Sequence, residues 1–290
     1  QTELLLRLGL ADSLVGQAQA TAQKLPADVA GMAADVPVIG GDAPPSREEL
    51  LAVEPDFVYS PTTYEFTAEQ GFASIEQLAD AGVAAYTATG GCFDRRMEGT
   101  VDDLFIDLDN LGAIFHVEKE ANDLIASSQA ELATVDTAIE GQDRPRVAQV
   151  FVEGTTLTAI GAGIEYDILQ RAGADNVFSP DDPAFADFFA AEITAESLAA
   201  EAPDALVFAV TDSAQEAAVR SYLAATFPDM PAVRDGRRVV VRFVPGNGNP
   251  DALVLTERSP RTDDAELRLL GLSAREAEVR RRFDEGVAML

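Results

Sequence analysis

Two segments of the chain carry side chains that suit the binding of a large ligand: SPTTYEFTAEQGF and TATGGCFDRRMEG. Their candidate residues are Thr62, Thr63, Tyr64, Phe66, Phe93, Arg95 and Arg96. Aromatic rings stack on planar groups, and guanidinium groups bind carboxylate or phosphate in bidentate fashion. Each segment follows a short apolar run, as a loop after a buried strand would. The pattern predicts a site for a planar or polyanionic ligand. The alternative for the two arginines is a surface ion pair with Asp94 or Glu98.

The second half of the chain offers a further candidate loop in EGTTLTAIGAGIEYD, which follows one apolar run and precedes a helical one. Here Thr155, Thr156, Gly161 and Tyr166 are the residues expected to approach a ligand, and the start of the following helix can hold an anion. Phe243 closes a later apolar run and leads into VPGNGNP, where we expect one more contact.

Groups for catalysis or metal binding are few. Cys92 is the one cysteine and His116 the one histidine, so a catalytic triad or a histidine metal site would depend on His116 alone. His116 lies beside an expected helix break, where a surface or capping role is the simpler interpretation. There is no P-loop and no HExxH motif. We therefore expect no catalysis, no resident cofactor and no metal site, although Tyr64 or Tyr166 could ligate the iron of a haem.

One pattern occurs twice in the chain. SREELLAVEPDFVY begins at Ser46, and TAESLAAEAPDALV begins at Thr194, 148 positions later. In each copy a hydroxyl residue suits a helix N-cap, an acid lies in the first turn, and a proline ends the helix before an apolar strand. This repeat is too long for a solenoid unit. It indicates two similar lobes.

The elements that position these residues follow an alternating helix–strand order. We expect an N-terminal α/β lobe over residues 1–99, two helices over 100–141 and a C-terminal α/β lobe over 142–290. The first of the two helices reads TVDDLFIDLDNLGAIF, with Thr100 as its expected cap, and the second runs over 117–139 and ends at Gly141. The predicted fold is α/β: two Rossmann-like lobes with parallel-rich sheets, joined by a long rigid inter-lobe helix, with a ligand cleft between the lobes. We also expect a first strand to precede Gln1.

The composition excludes several partners. The 290 residues hold 50 acidic and 21 basic side chains, a net charge of −29, which disfavours nucleic acid and anionic lipid. No apolar run approaches the length of a membrane span. A general adaptation for solubility is the alternative explanation of the charge.

Taken together, the text of the chain resembles the solute-binding proteins of ABC importers, in the helix-hinged class (class III) that receives ferric siderophores, haem and cobalamin. The resemblance covers about residues 2–252, and the segments that carry it are LLLRLGLADSLVG, PSREELLAVEPDFVYS, TVDDLFIDLDNLGAIF, AGADNVF, ITAESLAAEAPDALVF and VRDGRRVVV. Residues after 252 depart from the family pattern, and we assign them no role.

The resemblance implies a monomeric extracytoplasmic protein that is either periplasmic or lipid-anchored, works with an ABC transporter permease dimer and carries out no catalysis. It implies that Glu48 and Glu196 contact arginines of the permease. A ferric siderophore is the first choice of ligand. Cobalamin, haem and a phosphate-bearing deazaflavin-coenzyme precursor remain open, and any iron or cobalt would arrive with the ligand.

Two other classes of protein share such a fold. One is a two-lobed α/β enzyme, such as a glycosyltransferase or a relative of the nitrogenase-type metallocluster proteins. The other is a sensor domain that reports its ligand to a receptor. The enzyme interpretation needs a nucleophile, a base or a metal cluster, and the single cysteine and single histidine supply little toward one.

Overall fold

The computed structural model describes residues 1–20, 25–41, 43–210, 213–234, 238–242 and 254–255. The chain divides into two compact units, of which the first is Gln1–Ser128 and the second begins at Gln129. Within the described residues, every helix is too short or too polar to cross a membrane.

Helices and strands alternate along most of the chain. The helices are α1 (Thr2–Arg7), α2 (Ala27–Ala30), α3 (Arg47–Ala52), α4 (Ile75–Asp80), α5 (Asp103–Phe115), α6 (Glu118–Ile139), α7 (Gly163–Arg171), α8 (Ala195–Glu201), α9 (Ser213–Thr226) and α10 (Pro231–Arg234). The strands are β1 (Gln17–Ala18), β2 (Val38–Ile39), β3 (Phe57–Ser60), β4 (Ala84–Thr87), β5 (Arg146–Glu153), β6 (Thr156–Ile160), β7 (Asp175–Asn176), β8 (Ala190–Glu192), β9 (Ala205–Val210), β10 (Arg238–Arg242) and β11 (Val254–Leu255).

The parallel pair β3–β4 lies at the centre of the first unit, with Tyr59 opposite Tyr86. Successive side chains of a strand point to opposite faces. On one face, Phe57, Tyr59 and Tyr86 pack against α1 and α5 through a cluster that includes Leu108 and Leu111. On the other face lies a second cluster, which contains Leu50, Leu51, Val58, Phe66, Ala73, Leu78, Val83 and Ala85. Burying each large side chain contributes roughly 1.5–3 kcal/mol, so both faces of this short pair hold it in place.

A separate parallel pair, β1–β2, completes the first unit, with Gln17 opposite Val38. The Gln17 side chain is buried, and its amide donates to the carbonyl oxygens of Ala33 and Val36 at 3.4 and 3.2 Å. The buried residues Leu6, Val29 and Ala33 form a small core beside it. The parallel pairing expected for this part of the chain is therefore present in both pairs.

The second unit contains a sheet with the order β11-β10-β9-β5-β6-β8, in which β7 also pairs with β5. The pairs β5–β9, β9–β10 and β5–β7 are parallel, and the pairs β5–β6, β6–β8 and β10–β11 are antiparallel. The sheet is therefore mixed, and its parallel part consists of β7, β5, β9 and β10.

Strand β6 corrects the sequence analysis, which treated the segment EGTTLTAIGAGIEYD as a loop. Glu153 pairs with Thr156, so Gly154 and Thr155 form a two-residue hairpin turn, in which Gly154 has φ +61°. Leu157 and Ala159 are buried, while Thr158 and Ile160 are half-buried. This alternation is the period of a strand, which the segment LTAI already contained.

The repeated pattern forms the same structure in both units. Ser46 caps α3 and Thr194 caps α8, each within a capping box closed by the residue three positions on. Each copy then places a residue with left-handed angles directly before its proline: Glu54 has φ +49°, and Ala202, the matching position, has φ +45°. A strand follows in each case, which confirms the predicted order of cap, helix, proline and strand.

A third capping box begins α4, where Ser74 accepts from the amide of Gln77 at 3.2 Å and the Gln77 side chain accepts from the amide of Ser74 at 3.0 Å. Glu76 holds the same second helical position there that Glu48 holds in α3. The first unit therefore contains two helices with the same start.

Helices α5 and α6 follow the prediction except at the first cap. Helix α5 begins at Asp103, its N-cap is Asp102 without a side-chain cap, and the expected cap at Thr100 is wrong. The Thr100 amide instead donates to the Asp103 carboxylate at 2.9 Å. At the other end, the exposed His116 adopts left-handed angles and ends α5, as expected for a surface or capping residue. Helix α6 spans 22 residues, and the boundary of the two units falls within it.

Candidate functional site

The loop after β3 (residues 61–66) is built around the carboxylate of Glu65. Glu65 Oε2 accepts from the Ser60 hydroxyl at 3.1 Å, and from the Thr62 amide and hydroxyl at 3.2 and 2.5 Å. The Thr62 hydroxyl also accepts from the Tyr64 amide at 3.1 Å. The predicted ligand residue Thr62 therefore shapes the loop, and Glu65, which the sequence analysis did not select, fixes it.

The aromatic residues of this loop have different surroundings. Tyr64 is half exposed, and its ring meets that of Phe72 edge-on at 5.6 Å. Phe66 is only 8% exposed and lies in the hydrophobic cluster with Leu78 and Val83. Tyr64 therefore presents a ring at the surface, whereas Phe66 is a core side chain that anchors the loop.

The loop after β4 (residues 88–99) packs directly on the loop after β3. A Cβ atom on Gly91 would overlap the carbonyl oxygen of Pro61 and approach Thr62 Cα at 3.1 Å. Because β3 and β4 are parallel neighbours, both loops leave the same edge of the pair. The structure therefore brings the two predicted ligand segments of the first unit together.

Phe93 is the most exposed large apolar side chain of the described residues, at 86%. Arg96 is half-buried in the same loop. Arg95 pairs through Nη2 with Asp103 Oδ1 of α5 at 2.6 Å, so the ion pair considered with Asp94 or Glu98 is replaced by one with a buried partner. The loop thus combines an exposed ring with two guanidinium groups, and that of Arg95 pairs with a carboxylate.

Two buried carboxylates of α5, which we call the α5 carboxylate pair, lie beneath this loop: Asp103 and Asp107, 2% and 4% exposed. Asp107 Oδ1 accepts from the Tyr86 hydroxyl at 2.7 Å and from the Thr89 amide and hydroxyl at 2.9 and 2.6 Å. The sequence analysis selected neither acid for the site. The missed signal is that both acids lie on the helical stripe that continues to the buried Leu111.

Burial raises the pKa of three groups near the α5 carboxylate pair. The pKa of Tyr59 is raised mainly by burial and further by Asp107. Burial also raises the pKa of Tyr86, and its hydrogen bond to Asp107 acts in the same direction. The pKa of the Cys92 thiol is raised by burial and then by Asp94 and Asp107, against the opposing effect of Arg95. The Cys92 thiol is therefore less reactive at neutral pH than an ordinary one.

The second unit places its predicted residues at opposite ends of β6. Thr155 and Thr156 are exposed at the hairpin turn, whereas Gly161 is buried just beyond the other end of the strand. A Cβ atom on Gly161 would lie 2.6 Å from the ring of Phe185, so packing requires the glycine. Tyr166 is half-buried on α7. The structure does not bring the two threonines to Gly161. Phe243 and residues 256–290 lie outside the described residues.

The predicted docking residues Glu48 and Glu196 are both exposed and both hold the second position of a capped helix. In each helix the capping bonds are made by the residues before and after: Ser46 with Glu49, and Thr194 with Ser197. The carboxylates of Glu48 and Glu196 are therefore presented to solvent by a local structure that does not use them.

In the described part of the chain, no group of three or more His, Cys, Asp and Glu side chains is arranged to hold a metal ion. What the geometry offers is instead two packed loops with two exposed aromatic rings, those of Tyr64 and Phe93, beside half-buried hydroxyl and guanidinium groups. Such a surface suits recognition of a preformed ligand through stacking and hydrogen bonds.

Comparison with known proteins agrees with this description. A family model described as "Periplasmic binding protein" matches residues 1–244. No curated protein sequence matches the chain significantly. Among solved structures, a periplasmic binding protein from Veillonella parvula is similar at a TM-score of 0.76 and 23% identity, and the match covers 93% of this chain and 88% of that one.

Two further similar structures are an Fe3+-hydroxamate transport protein and a heme binding protein. An ABC-type Fe3+-hydroxamate transport system from Saccharomonospora viridis matches at a TM-score of 0.62 and 23% identity, covering 86% of this chain and 85% of that one. A periplasmic heme binding protein from Pseudomonas aeruginosa matches at 0.61 and 24%, covering 94% and 88%. At these identities the structures show a shared fold.

Proposed function

The chain belongs to the periplasmic binding protein family, and from this premise we propose that it is the extracytoplasmic solute-binding component of an ABC importer. It captures a ferric siderophore, or a similar large anionic or planar ligand, and delivers it to the permease. The family match over residues 1–244 carries the proposal. The similarity to an Fe3+-hydroxamate transport system and to a periplasmic heme binding protein supports an iron-bearing ligand. Cobalamin, haem and a phosphate-bearing deazaflavin-coenzyme precursor are the alternatives.

In the first unit, we propose that the ligand contacts side chains of the loops after β3 and β4, of which Tyr64 and Phe93 are exposed and Thr62, Thr63 and Arg96 are half-buried. Phe93 and Tyr64 offer rings for stacking on a planar ligand, and Thr62 and Thr63 offer hydroxyl groups. Arg96 contributes positive charge. The proposal omits Phe66, because its ring lies in the core.

In the second unit, the proposed ligand residues are Thr155, Thr156 and Tyr166. Gly161 belongs to the packing against Phe185 and supports the strand rather than the ligand.

The protein acts without a catalytic step and without a resident cofactor, and iron or cobalt arrives with the ligand. His116 is exposed and ends α5, and burial and nearby acids raise the pKa of the Cys92 thiol, so neither is set up as a base or nucleophile. A two-lobed α/β enzyme, such as a glycosyltransferase, is the alternative from another class. It would turn over its ligand, whereas a binding protein releases it unchanged.

A thermal-unfolding screen tests the proposed ligand class. Hemin, a ferric hydroxamate complex, cobalamin and a phosphate-bearing deazaflavin are each added at rising concentration. A ligand that binds only the folded state stabilises it by about 2.7 kcal/mol at 100 times its Kd. We expect the ferric hydroxamate or hemin to raise Tm in a saturable manner, with the recovered ligand chemically unchanged. If none of the four shifts Tm, the proposed ligand class is wrong.

For delivery, we propose that Glu48 and Glu196 dock the protein on basic residues of the two permease subunits. The proposal rests on their equivalent, exposed positions at the start of α3 and α8. Two modest contacts made at once bind more strongly than either alone. The protein works as a monomer in this scheme, either free in the periplasm or lipid-anchored at the outer face of the membrane.

Charge reversal tests docking. Glu48→Lys and Glu196→Lys together should abolish uptake by the assembled transporter while ligand affinity stays unchanged. Glu76→Lys is the matched control, because Glu76 is an exposed acid at the same position of a third capped helix. Undiminished uptake by the double variant, or an equal loss with Glu76→Lys, would contradict the assignment.

A further inference from the structure

We infer that the α5 carboxylate pair, Asp103 and Asp107, positions the proposed ligand site by holding the loop after β4 in one conformation. The inference rests on the proposed function only for its effect on ligand binding. The hold on the loop itself is a property of the free protein and is tested without ligand.

Asp107 holds the start of the loop. Its carboxylate accepts from both the amide and the hydroxyl of Thr89, two residues after β4 ends. It also accepts from the Tyr86 hydroxyl within β4, and that hydroxyl accepts from the Asn110 side chain at 2.9 Å. The carboxylate therefore joins the helix, the strand and the first turn of the loop.

Asp103 holds the rest of the loop. Its Oδ1 pairs with Arg95 and its Oδ2 accepts from the amide of Thr100, the residue that follows the loop. A Cβ atom on Gly90 would lie 3.3 Å from Asp103 Oδ2, so the helix approaches the backbone of the loop closely. The pair thus makes contacts at the start, middle and end of the loop.

The burial of both acids makes this hold strong. Hydrogen bonds to an ionised carboxylate are roughly twice as strong as neutral ones, and a buried carboxylate that loses its partners costs free energy. Asp103 and Asp107 are buried, and their partners among the described residues come largely from the loop. If the loop moved away, two buried charges would lose hydrogen bonds together, so the closed loop is favoured.

The same contacts indicate that Arg95 holds the loop in place. Its guanidinium pairs with a carboxylate whose side chain is 3% exposed. A ligand anion would have to displace that carboxylate to gain the full charge of Arg95. Arg95 is therefore a positioning residue, whereas Phe93 and Arg96 remain the residues that the loop presents to a ligand.

A fluorescence experiment measures the hold on the loop. The chain has no tryptophan and Phe93 is exposed, so Phe93→Trp introduces a single indole reporter into the loop. In that background, Asp103→Asn and Asp107→Asn should lower the indole's anisotropy and increase its quenching by acrylamide. Asp109→Asn is the control, because Asp109 is an exposed acid of the same helix. The inference is overturned if all three variants give the same anisotropy and quenching as the parent.

Reaction of the single thiol, Cys92, gives a second readout in the native sequence. Losing one charge-assisted hydrogen bond raises the population of the open loop about tenfold, and the labelling rate with a disulfide reagent should rise accordingly. Removing the charge of Asp107 should also move the pH midpoint of labelling downward, since Asp94, Asp103 and Asp107 oppose thiolate formation and Arg95 favours it. A general loss of stability would also lower the midpoint, because burial is the main cause of the raised pKa of Cys92, so urea unfolding of the same variants is measured beside the labelling. A rate and midpoint equal to those of Asp109→Asn would contradict the inference.

Milder changes keep the test decisive if an Asn variant does not fold. Thr89→Val removes one hydroxyl donor to Asp107 and leaves the amide, and Arg95→Lys keeps the charge but not the guanidinium geometry. Each should loosen the loop less than the Asn variants do, and no loosening would contradict the inference. Affinity for hemin and for a ferric hydroxamate complex is then measured. If the loop is looser but the affinity is unchanged, the carboxylate pair still holds the loop in the free protein. The loop is then not part of the proposed ligand site.

Discussion

Gly91 shows how one residue sets the geometry of the candidate site. Its backbone touches Pro61 and Thr62, so the loops after β3 and β4 meet at a position where no side chain fits. The glycine is not required for a left-handed turn, since no positive φ is recorded for it. It is required for space, and the chemistry of Tyr64 and Phe93 depends on this contact for its arrangement.

Gly91→Ala should therefore lower the free energy of unfolding by about 1–3 kcal/mol, as overpacking a well-packed position does. Urea unfolding measures the change. Gly31→Ala serves as control: nothing lies within 4 Å of the added Cβ and Gly31 has helical angles, so alanine should be neutral or stabilise by up to ~1 kcal/mol. Equal stability of Gly91→Ala and the wild type would mean that the loops can separate freely.

Tyr86 makes the first unit sensitive to alkaline pH. Burial raises its pKa above the ordinary value of 10.0, so the phenol is more acidic in the unfolded chain than in the folded one. Its contribution to stability is full below pH 10 and is lost as the pH rises through the folded pKa. Absorbance titration at 295 nm should show phenols that ionise above pH 10, and Tyr86→Phe should remove one of them. A titration curve with the same high-pH component in the variant would contradict this.

Some residues of the site could be predicted from sequence and others could not, for a physical reason. Ser46, Thr194 and His116 act through their own turn of helix, so their roles follow from neighbours in the chain. Asp107 and Gly91 act on segments that only the folded chain brings near, and a pattern of neighbours does not contain those contacts. The error at Thr100 is a local one: its amide donates to the Asp103 carboxylate three residues later, whereas the prediction made the Thr100 side chain the acceptor.

At the scale of elements, the two copies of the cap–helix–proline–strand segment share a strained step. Glu54 and Ala202 adopt left-handed angles although neither is glycine, at a cost of roughly 1–2 kcal/mol per residue. Each directly precedes a proline, which excludes helical angles there. The left-handed residue redirects the chain, so that the strand can begin soon after the short helix ends.

Ala202→Gly should raise the free energy of unfolding by up to ~1 kcal/mol, because glycine adopts these angles without strain and only part of the gain is lost to its flexible unfolded state. Ala199→Gly, within the same helix and exposed, should lower it by about 1 kcal/mol. Chemical denaturation of the two variants should therefore give opposite signs. A decrease for both would mean that the left-handed step carries no strain.

Sequence periodicity predicted the long elements well and the second sheet incompletely. Helix α6 and strand β9 lie close to their predicted positions, because the hydrophobic pattern of an amphipathic helix or an apolar strand is visible in the sequence itself. Strand β6 was missed because a glycine, two threonines and a second glycine flank it, and these residues also occur in binding loops. Strand β8 consists of Ala190–Glu192, which is too short and too small in side chains for its pairing to be read locally.

At the scale of the whole molecule, charge is the dominant property. Fifty acidic side chains face 21 basic ones, and the net charge of −29 opposes compaction of the chain. The ion pairs of the described residues are mostly surface pairs, such as Lys119 with Asp123, which contribute little each. Repulsion between carboxylates therefore outweighs local pairing.

Raising sodium chloride from about 0.01 M to about 0.5 M at neutral pH should raise Tm, because the screening length falls from ~30 Å to less than 8 Å. The control is the same salt step near pH 4, where about half of the carboxylates are protonated and the effect should shrink. Calorimetry at matched buffer measures both. A lower Tm in high salt at neutral pH would show that ion pairs, and not repulsion, control stability.

The capping boxes of α3 and α8 have a consequence for how this protein can change. Ser46 with Glu49, and Thr194 with Ser197, complete each helix start without the side chains of the two residues between them. The carboxylates of Glu48 and Glu196 thus take no part in these capping bonds, and a substitution there removes only the modest interaction of an acid with the helix N-terminus. A lineage could exchange these two side chains, and with them its choice of partner, while the remaining sequence keeps the same architecture.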